Sequence, residues 1–256
     1  MDSKQTGRKR TGLVVALALC CILAVGGVFA WFSATDTKTN TFIQGSGIEK
    51  PTEKPKPGPT NPDGGGDGDV DKPISKPEGN IIETEWVDET GITPDSIVAK
   101  NPNIGIGKKS TNAYVFVEIE NALDPANAYF VLGEKWAPVT DLATSYGLDK
   151  DVTIPTEKHG RCYTGGLFVY VGDNKNGDIA NDMAMLQSKL DVSVYTGEVF
   201  DKIYTNKKFT PLGKDEQKTI TVKAYLAGAS NTKEEMSTAE VKGEVLAKAK
   251  AWAQNN

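Results

Sequence analysis

The chain has 256 residues, 25% of them charged and 38% hydrophobic, which suits one globular domain with appendages and is too polar for a protein that crosses a membrane many times. A net charge of −5 argues against a nucleic-acid-binding surface, and three cysteines, Cys20, Cys21 and Cys162, exclude a disulfide scaffold and a zinc site built on paired Cys-x-x-Cys motifs. The single histidine, His159, removes the chemistry that needs two or three imidazoles around a zinc ion.

Lys4, Arg8, Lys9 and Arg10 precede an uncharged stretch from Thr11 to Thr35 that is rich in Leu, Val and Ile. A basic segment ahead of an apolar one predicts a signal peptide over residues 1–30, read by the general secretion route. Leader peptidases need small residues at −3 and −1, so Val28 and Ala30 set the cut and Trp31 becomes the new N-terminus. The alternative is an uncleaved anchor ending at Phe32, because Gly12 to Phe32 is long enough to span a bilayer with about 20 apolar residues. Membrane contact is expected only through such a leader. A lipoprotein leader does not fit, since in Leu17-Ala18-Leu19-Cys20 a leucine, Leu19, stands where a small residue must precede the lipidated cysteine.

Gly26-Gly27-Val28-Phe29-Ala30-Trp31-Phe32-Ser33, followed by Asn40-Thr41-Phe42-Ile43-Gln44-Gly45, resembles the leader and mature start of the TasA and camelysin (CalY) family, exported proteins of Gram-positive bacteria. Lys100-Asn101-Pro102, the strand from Ala113 to Val117 and the strand from Ile220 to Tyr225 resemble the first and last parts of that family's domain. The resemblance implies processing by a SipW-type signal peptidase, a jelly-roll β-sandwich, and fibres in which an N-terminal strand completes the neighbouring subunit. On that basis Thr39, Thr41, Phe42 and Ile43 are the donor-strand candidates, in a strand-forming segment at 31–48, and the partner is a second copy of the chain. The long stretch between leader and domain departs from TasA itself.

Without residues 1–30 the net charge becomes −8 and one thiol, Cys162, remains. It can pair between chains or sit half-buried on a strand; its neighbour Tyr163 and the lack of a redox partner favour the strand. Residues 49–80 hold seven of the 13 prolines, Gly64-Gly65-Gly66 and alternating Lys and Glu, with few large apolar side chains. Such a composition predicts a disordered linker. Asp67, Asp69, Asp71 and Glu78 match positions one, three, five and twelve of a calcium loop, but Lys72 stands where the turn needs glycine and no helical pattern flanks the loop. A solvated acidic linker is the simpler reading.

From residue 81 to 256 the pattern is mostly period two. Val115, Val117 and Ile119 alternate with Glu118 and Glu120, and Ile220, Val222, Ala224 and Leu226 repeat the device. Further strands are expected at 81–87, 128–132, 162–163 with 166–171, 190–195 and 199–204, bounded by turn residues such as Gly165-Gly166 and Gly172-Asp173-Asn174. The expected fold is mainly β, an antiparallel β-sandwich, of the jelly-roll type that the resemblance implies, with two short amphipathic helices, preceded by the signal peptide and the disordered linker. One helix is capped by Asp178, with Ile179, Met183, Leu186 and Leu190 in a stripe; the other opens on the capping box Ser237-Thr238-Ala239-Glu240, with Val241, Val245, Ala249 and Trp252 on its docking face.

Camelysin is classed as a metalloprotease, so a hydrolytic site has to be sought. His159 lies in a polar stretch with one carboxylate, Glu157, and is read as a loop histidine. Cys162 is near it in sequence, yet nothing orients the imidazole as a base. No Gly-x-Ser-x-Gly elbow and no phosphate-binding loop occur; the glycine-rich run Asn103-Ile104-Gly105-Ile106-Gly107-Lys108 is read as a turn. The expectation is an exported surface or biofilm-matrix structural protein without catalytic residues, metal or cofactor. A membrane-tethered extracellular binding module is its rival, and a secreted metalloprotease the third choice.

Overall fold

The computed structural model describes residues 31–44, 79–83, 90–108, 110–147, 154, 156–213, 216–229 and 237–255. Val28, Ala30 and the acidic run at 63–78 lie outside the described residues. The fold is mainly β, with curled antiparallel sheets and two helices.

The strands are β1 (Trp31–Gln44), β2 (Gly79–Ile82), β3 (Thr90–Ile92), β4 (Ile97–Ala99), β5 (Asn103–Ile106), β6 (Ala113–Asn121), β7 (Ala128–Val131), β8 (Trp136–Ser145), β9 (Cys162–Tyr170), β10 (Met185–Leu186), β11 (Val194–Glu198), β12 (Lys202–Thr205) and β13 (Lys218–Ala229). The larger sheet runs β3-β1-β13-β6-β9-β7-β12-β4, with β10 beside β6 and β8 beside β9; the smaller is β11-β5-β2. Helix α1 spans Ile179–Asp182 and helix α2 spans Ala239–Gln254.

Alternation accounts for the centre. Ile220, Val222, Ala224 and Leu226 of β13 face the main core together with Val115, Val117 and Ile119 of β6. Ile81, Ile104 and Ile106 of the small sheet close that core from the other side, and Gly79 lies so near Leu226 that an added Cβ would stand 2.7 Å from its Cδ2. The opposite face of β6 and β13 is apolar too. Tyr114, Phe116, Tyr225 and Ala227 pack under Val241, Val245 and Ala249 of α2, with Tyr225 stacked on Trp252 at 5.3 Å. Glu118 and Glu120 mark where that cover ends. The helix docks as its stripe predicts, but its cap is Thr238, one residue beyond Ser237, whose side chain accepts from the Val241 N–H at 3.3 Å.

Four local expectations are corrected. Gly165-Gly166 does not interrupt β9: Gly166 takes φ +111°, a conformation open to glycine, and an added Cβ would collide with Leu142 O and Ala143 Cα of β8. The strand bends there, pairing with β7 through Cys162 and Tyr163 and with β6 from Gly166 onward. The run at 103–106 is strand β5, because Ile104 and Ile106 are buried between two neighbours, β2 and β11. The helix after Asp178 stops after one turn. Asp178 does cap it, accepting from Ala180 N, but the Asp182 carboxylate takes the N–H groups of Asn176 and Gly177 and turns the chain back on its own loop. Met185 and Leu186 then pair with Tyr114 and Ala113, and Leu190 is 72% exposed. Finally, β2 begins at Gly79, so Gly79 and Asn80 pair with Ile106 and Gly105 although composition puts them in the linker.

Beyond these, the ten-residue β8 falls where no strand is expected. Its only described partner is β9, and a strand paired on one side is where a proline such as Pro138 is tolerated. Arg161 ties this corner together, donating to the carbonyls of Leu132, Gly133 and Trp136 at 2.9, 2.5 and 2.9 Å.

Candidate assembly site

β1 is a strand of 14 residues lying along β13 for twelve consecutive pairs, from Trp31 opposite Ala229 to Phe42 opposite Lys218. Only its last residues have a strand on the other side, with Phe42, Ile43 and Gln44 parallel to Thr90, Gly91 and Ile92 of β3. From Trp31 to Thr41 its second edge has no strand neighbour among the described residues. The four donor-strand candidates thus fall at the C-terminal end of β1: Thr39 opposite Thr221, Thr41 opposite Thr219, Phe42 between Lys218 and Thr90, and Ile43 beside Gly91.

The register of β1 on β13 sets polar residues along part of the row that faces the core. Asp36, Lys38 and Asn40 stand opposite Ala224, Val222 and Ile220, the core residues of β13. Polar residues at the register of a buried row weaken the apolar contribution of an edge strand, a feature that also discourages indiscriminate edge pairing. Lys38 is exposed, as are Thr37 and Thr39, whose hydroxyl shares a 3.3 Å hydrogen bond with Thr221. Next to this row Lys223 bridges to Glu120 at 2.6 Å and to Glu118 at 3.8 Å; burial raises the Glu118 carboxyl, with Lys223 working against the shift. Among the described side chains, the rim is therefore Thr37, Lys38 and Thr39 beside one lysine shared by two carboxylates.

The residues weighed for catalysis lie elsewhere. His159 sits on an exposed 3-10 turn at Thr156–Arg161, with Nε2 2.9 Å from Ile154 O. Cys162 is buried at the start of β9, and its Sγ donates to Lys158 O at 3.6 Å. Each group is satisfied by main chain rather than by the other. Burial pushes the Cys162 thiol up to about 11, the reverse of what a nucleophile needs, and Tyr129, Tyr146 and Tyr204 stack at 4.2 and 5.4 Å in the apolar cluster around it. Among the described residues no group of three or more His, Cys, Asp or Glu stands close enough to hold a metal ion, and no helix is long and apolar enough to cross a membrane.

One buried polar pair has no signal in the sequence pattern. Glu83, directly after β2, and Lys100, between β4 and β5, meet at 2.5 Å with side chains 1% and 0% exposed. A glutamate ending an apolar strand and a lysine following one are separately ordinary; only the packing of the two sheets brings them together.

Comparison with family models, with curated proteins and with solved structures gives no match.

Proposed function

We propose that this chain is an exported cell-surface or biofilm-matrix structural protein of the TasA and camelysin type, which self-associates by strand addition. In this reading β1 of one copy takes the place beside β13 of another. A SipW-type signal peptidase removes the leader, and the role is structural rather than catalytic. The observation that carries the proposal is the attachment of β1: a long rim strand, held through twelve backbone-paired positions with polar residues at the core register, and joined to β2 by the 34 residues from 45 to 78. Such a strand is bound by interactions that any copy of β13 offers equally well.

The same strand favours cleavage over an anchor. Trp31 and Phe32 pair with Ala229 and Gly228, which leaves neither for a bilayer-spanning segment ending at Phe32. The test is electron microscopy of the concentrated protein beginning at Trp31 beside a version beginning at Glu49. Beaded fibres from the first and none from the second are expected. Fibres of equal yield and form from both would overturn strand addition by β1.

A further inference from the structure

We propose that Glu83 and Lys100 are joined by a side-chain amide, an intramolecular cross-link between Glu83 Cδ and Lys100 Nζ. The two groups are in contact at 2.5 Å, and both side chains are withdrawn from water. Ile81 and Val98, each two residues before a partner in the chain, belong to the main core. Burying two full charges is costly even when they are paired, since the mutual attraction has to offset the lost hydration of both. Proton transfer from the ammonium to the carboxylate removes the charges and leaves an amine lone pair facing a neutral carboxylic acid. The nitrogen then adds to Cδ, the C–O bond to the hydroxyl breaks, and the hydroxyl departs with one nitrogen proton as water. One C–N bond forms, one C–O bond breaks, one water is released, and no oxidant or reductant is consumed. In water the reverse reaction is favoured; in a site closed to solvent the departing water does not return, and holding the reacting groups in contact supplies the proximity that condensation lacks in solution.

The surroundings fix the pair in this geometry. Lys100 N donates to Asp201 O at 3.0 Å, and Val199 N donates to Pro102 O at 2.8 Å, so the segment carrying the lysine is clamped on both sides. Glu83 follows β2, whose four residues pair with β5. Asn101, the neighbouring amide that a lysine could also attack, is turned to Glu198, donating to its Oε1 at 3.2 Å. The amide would join the end of β2 to the junction of β4 and β5, linking the small sheet to the large one. It does not depend on the assembly proposed above. If that assembly holds, tension entering at Gly79 would pass through the cross-link to Lys100 and bypass residues 84–99.

A glutamate-specific protease applied to the denatured secreted protein distinguishes the two states, because Glu85 and Glu89 lie between the partners. The expected product is peptide 79–85 covalently attached to peptide 90–118, lighter than their sum by one water and uncut after Glu83. Lys100→Met keeps the side chain's length without the amine, and its digest should release the two regions separately. Recovery of separate, full-mass peptides from the parent protein, with cleavage after Glu83, would overturn the cross-link whether or not Lys100→Met folds. Fibres from a protein without the linked peptide would leave the assembly reading standing and remove this one.

Discussion

Shortening the segment between β1 and β2 should convert the protein from a closed monomer into an obligate strand-exchanged oligomer. Gly79 packs beside Leu226, and Leu226 is paired with Ala34 near the start of β1, whereas the segment leaves β1 at its far end, after Gln44. The connection therefore has to run back along ten strand residues, about 34 Å at roughly 3.4 Å per residue. The natural 34 residues from 45 to 78 are enough to reach several times that span at the extended limit of roughly 3.3–3.6 Å per residue. A variant with six residues in their place reaches at most about 25 Å at roughly 3.6 Å per residue, too short to let β1 lie on its own β13. A neighbour's β13 is under no such restriction. Light scattering coupled to size exclusion at micromolar concentration should give a monomer for the parent and dimers or longer chains for the variant. A six-residue variant that stays monomeric with β1 amides protected from exchange would refute the placement of β1 and the reasoning built on it.

Arg161→Ala should cost about 2–4 kcal/mol in urea unfolding, since three carbonyls lose a charge-assisted donor worth roughly 1.5–3 kcal/mol each when well buried and less at this half-buried site; a loss under about 1 kcal/mol would mean water replaces the guanidinium. Alkaline pH should destabilise the domain in a defined window. Burial lifts the Cys162 thiol from 9.0 to about 11 and the Tyr114 phenol from 10.0 to about 12, so the unfolded chain releases these protons first. Stability from these groups is complete below pH 9 and is lost as pH rises through about 12; a urea midpoint that stays level from pH 9 to 11 would contradict the burial of Cys162.

The strands that alternation reveals are those at the centre of the large sheet. β6 and β13 read correctly because one face of each meets a continuous apolar core, and α2 because its stripe is spaced at helical intervals. What alternation hides is the second face of β6. Tyr114 and Phe116 look like outward positions until α2 covers them, and the change to Glu118 and Glu120 records the edge of that cover. β8 escaped because an edge strand with Pro138 and Asp141 needs little alternation, and β5 because two isoleucines among glycines resemble a turn until neighbours on both sides bury them. The stripe after Asp178 misled for a different reason. Met183 and Leu186 are indeed buried, but in different clusters on opposite sides of the sheet, so equal spacing did not mean one face. The rim at β1 was partly legible, as a threonine-rich segment able to form a strand, while its register against β13 depends on contacts 180 residues or more away for most of its length. The pairing of Glu83 with Lys100 was not legible at all, since neither residue departs from its local pattern.

Cys162 gives the folded domain an internal witness to how it is handled. It is the one cysteine among the described residues, and it lies among Tyr129, Val131, Tyr146 and Ile154, on the β7 side of the sheet and three strands removed from β1. Departure of β1 leaves that cluster untouched, whereas any rearrangement that parts β7 from β9 uncovers the sulfur. If the chain assembles as proposed, a thiol-reactive dye added during assembly records which event took place: silence accompanies a swap at the rim, and labelling betrays a domain that opened its interior to join its neighbours.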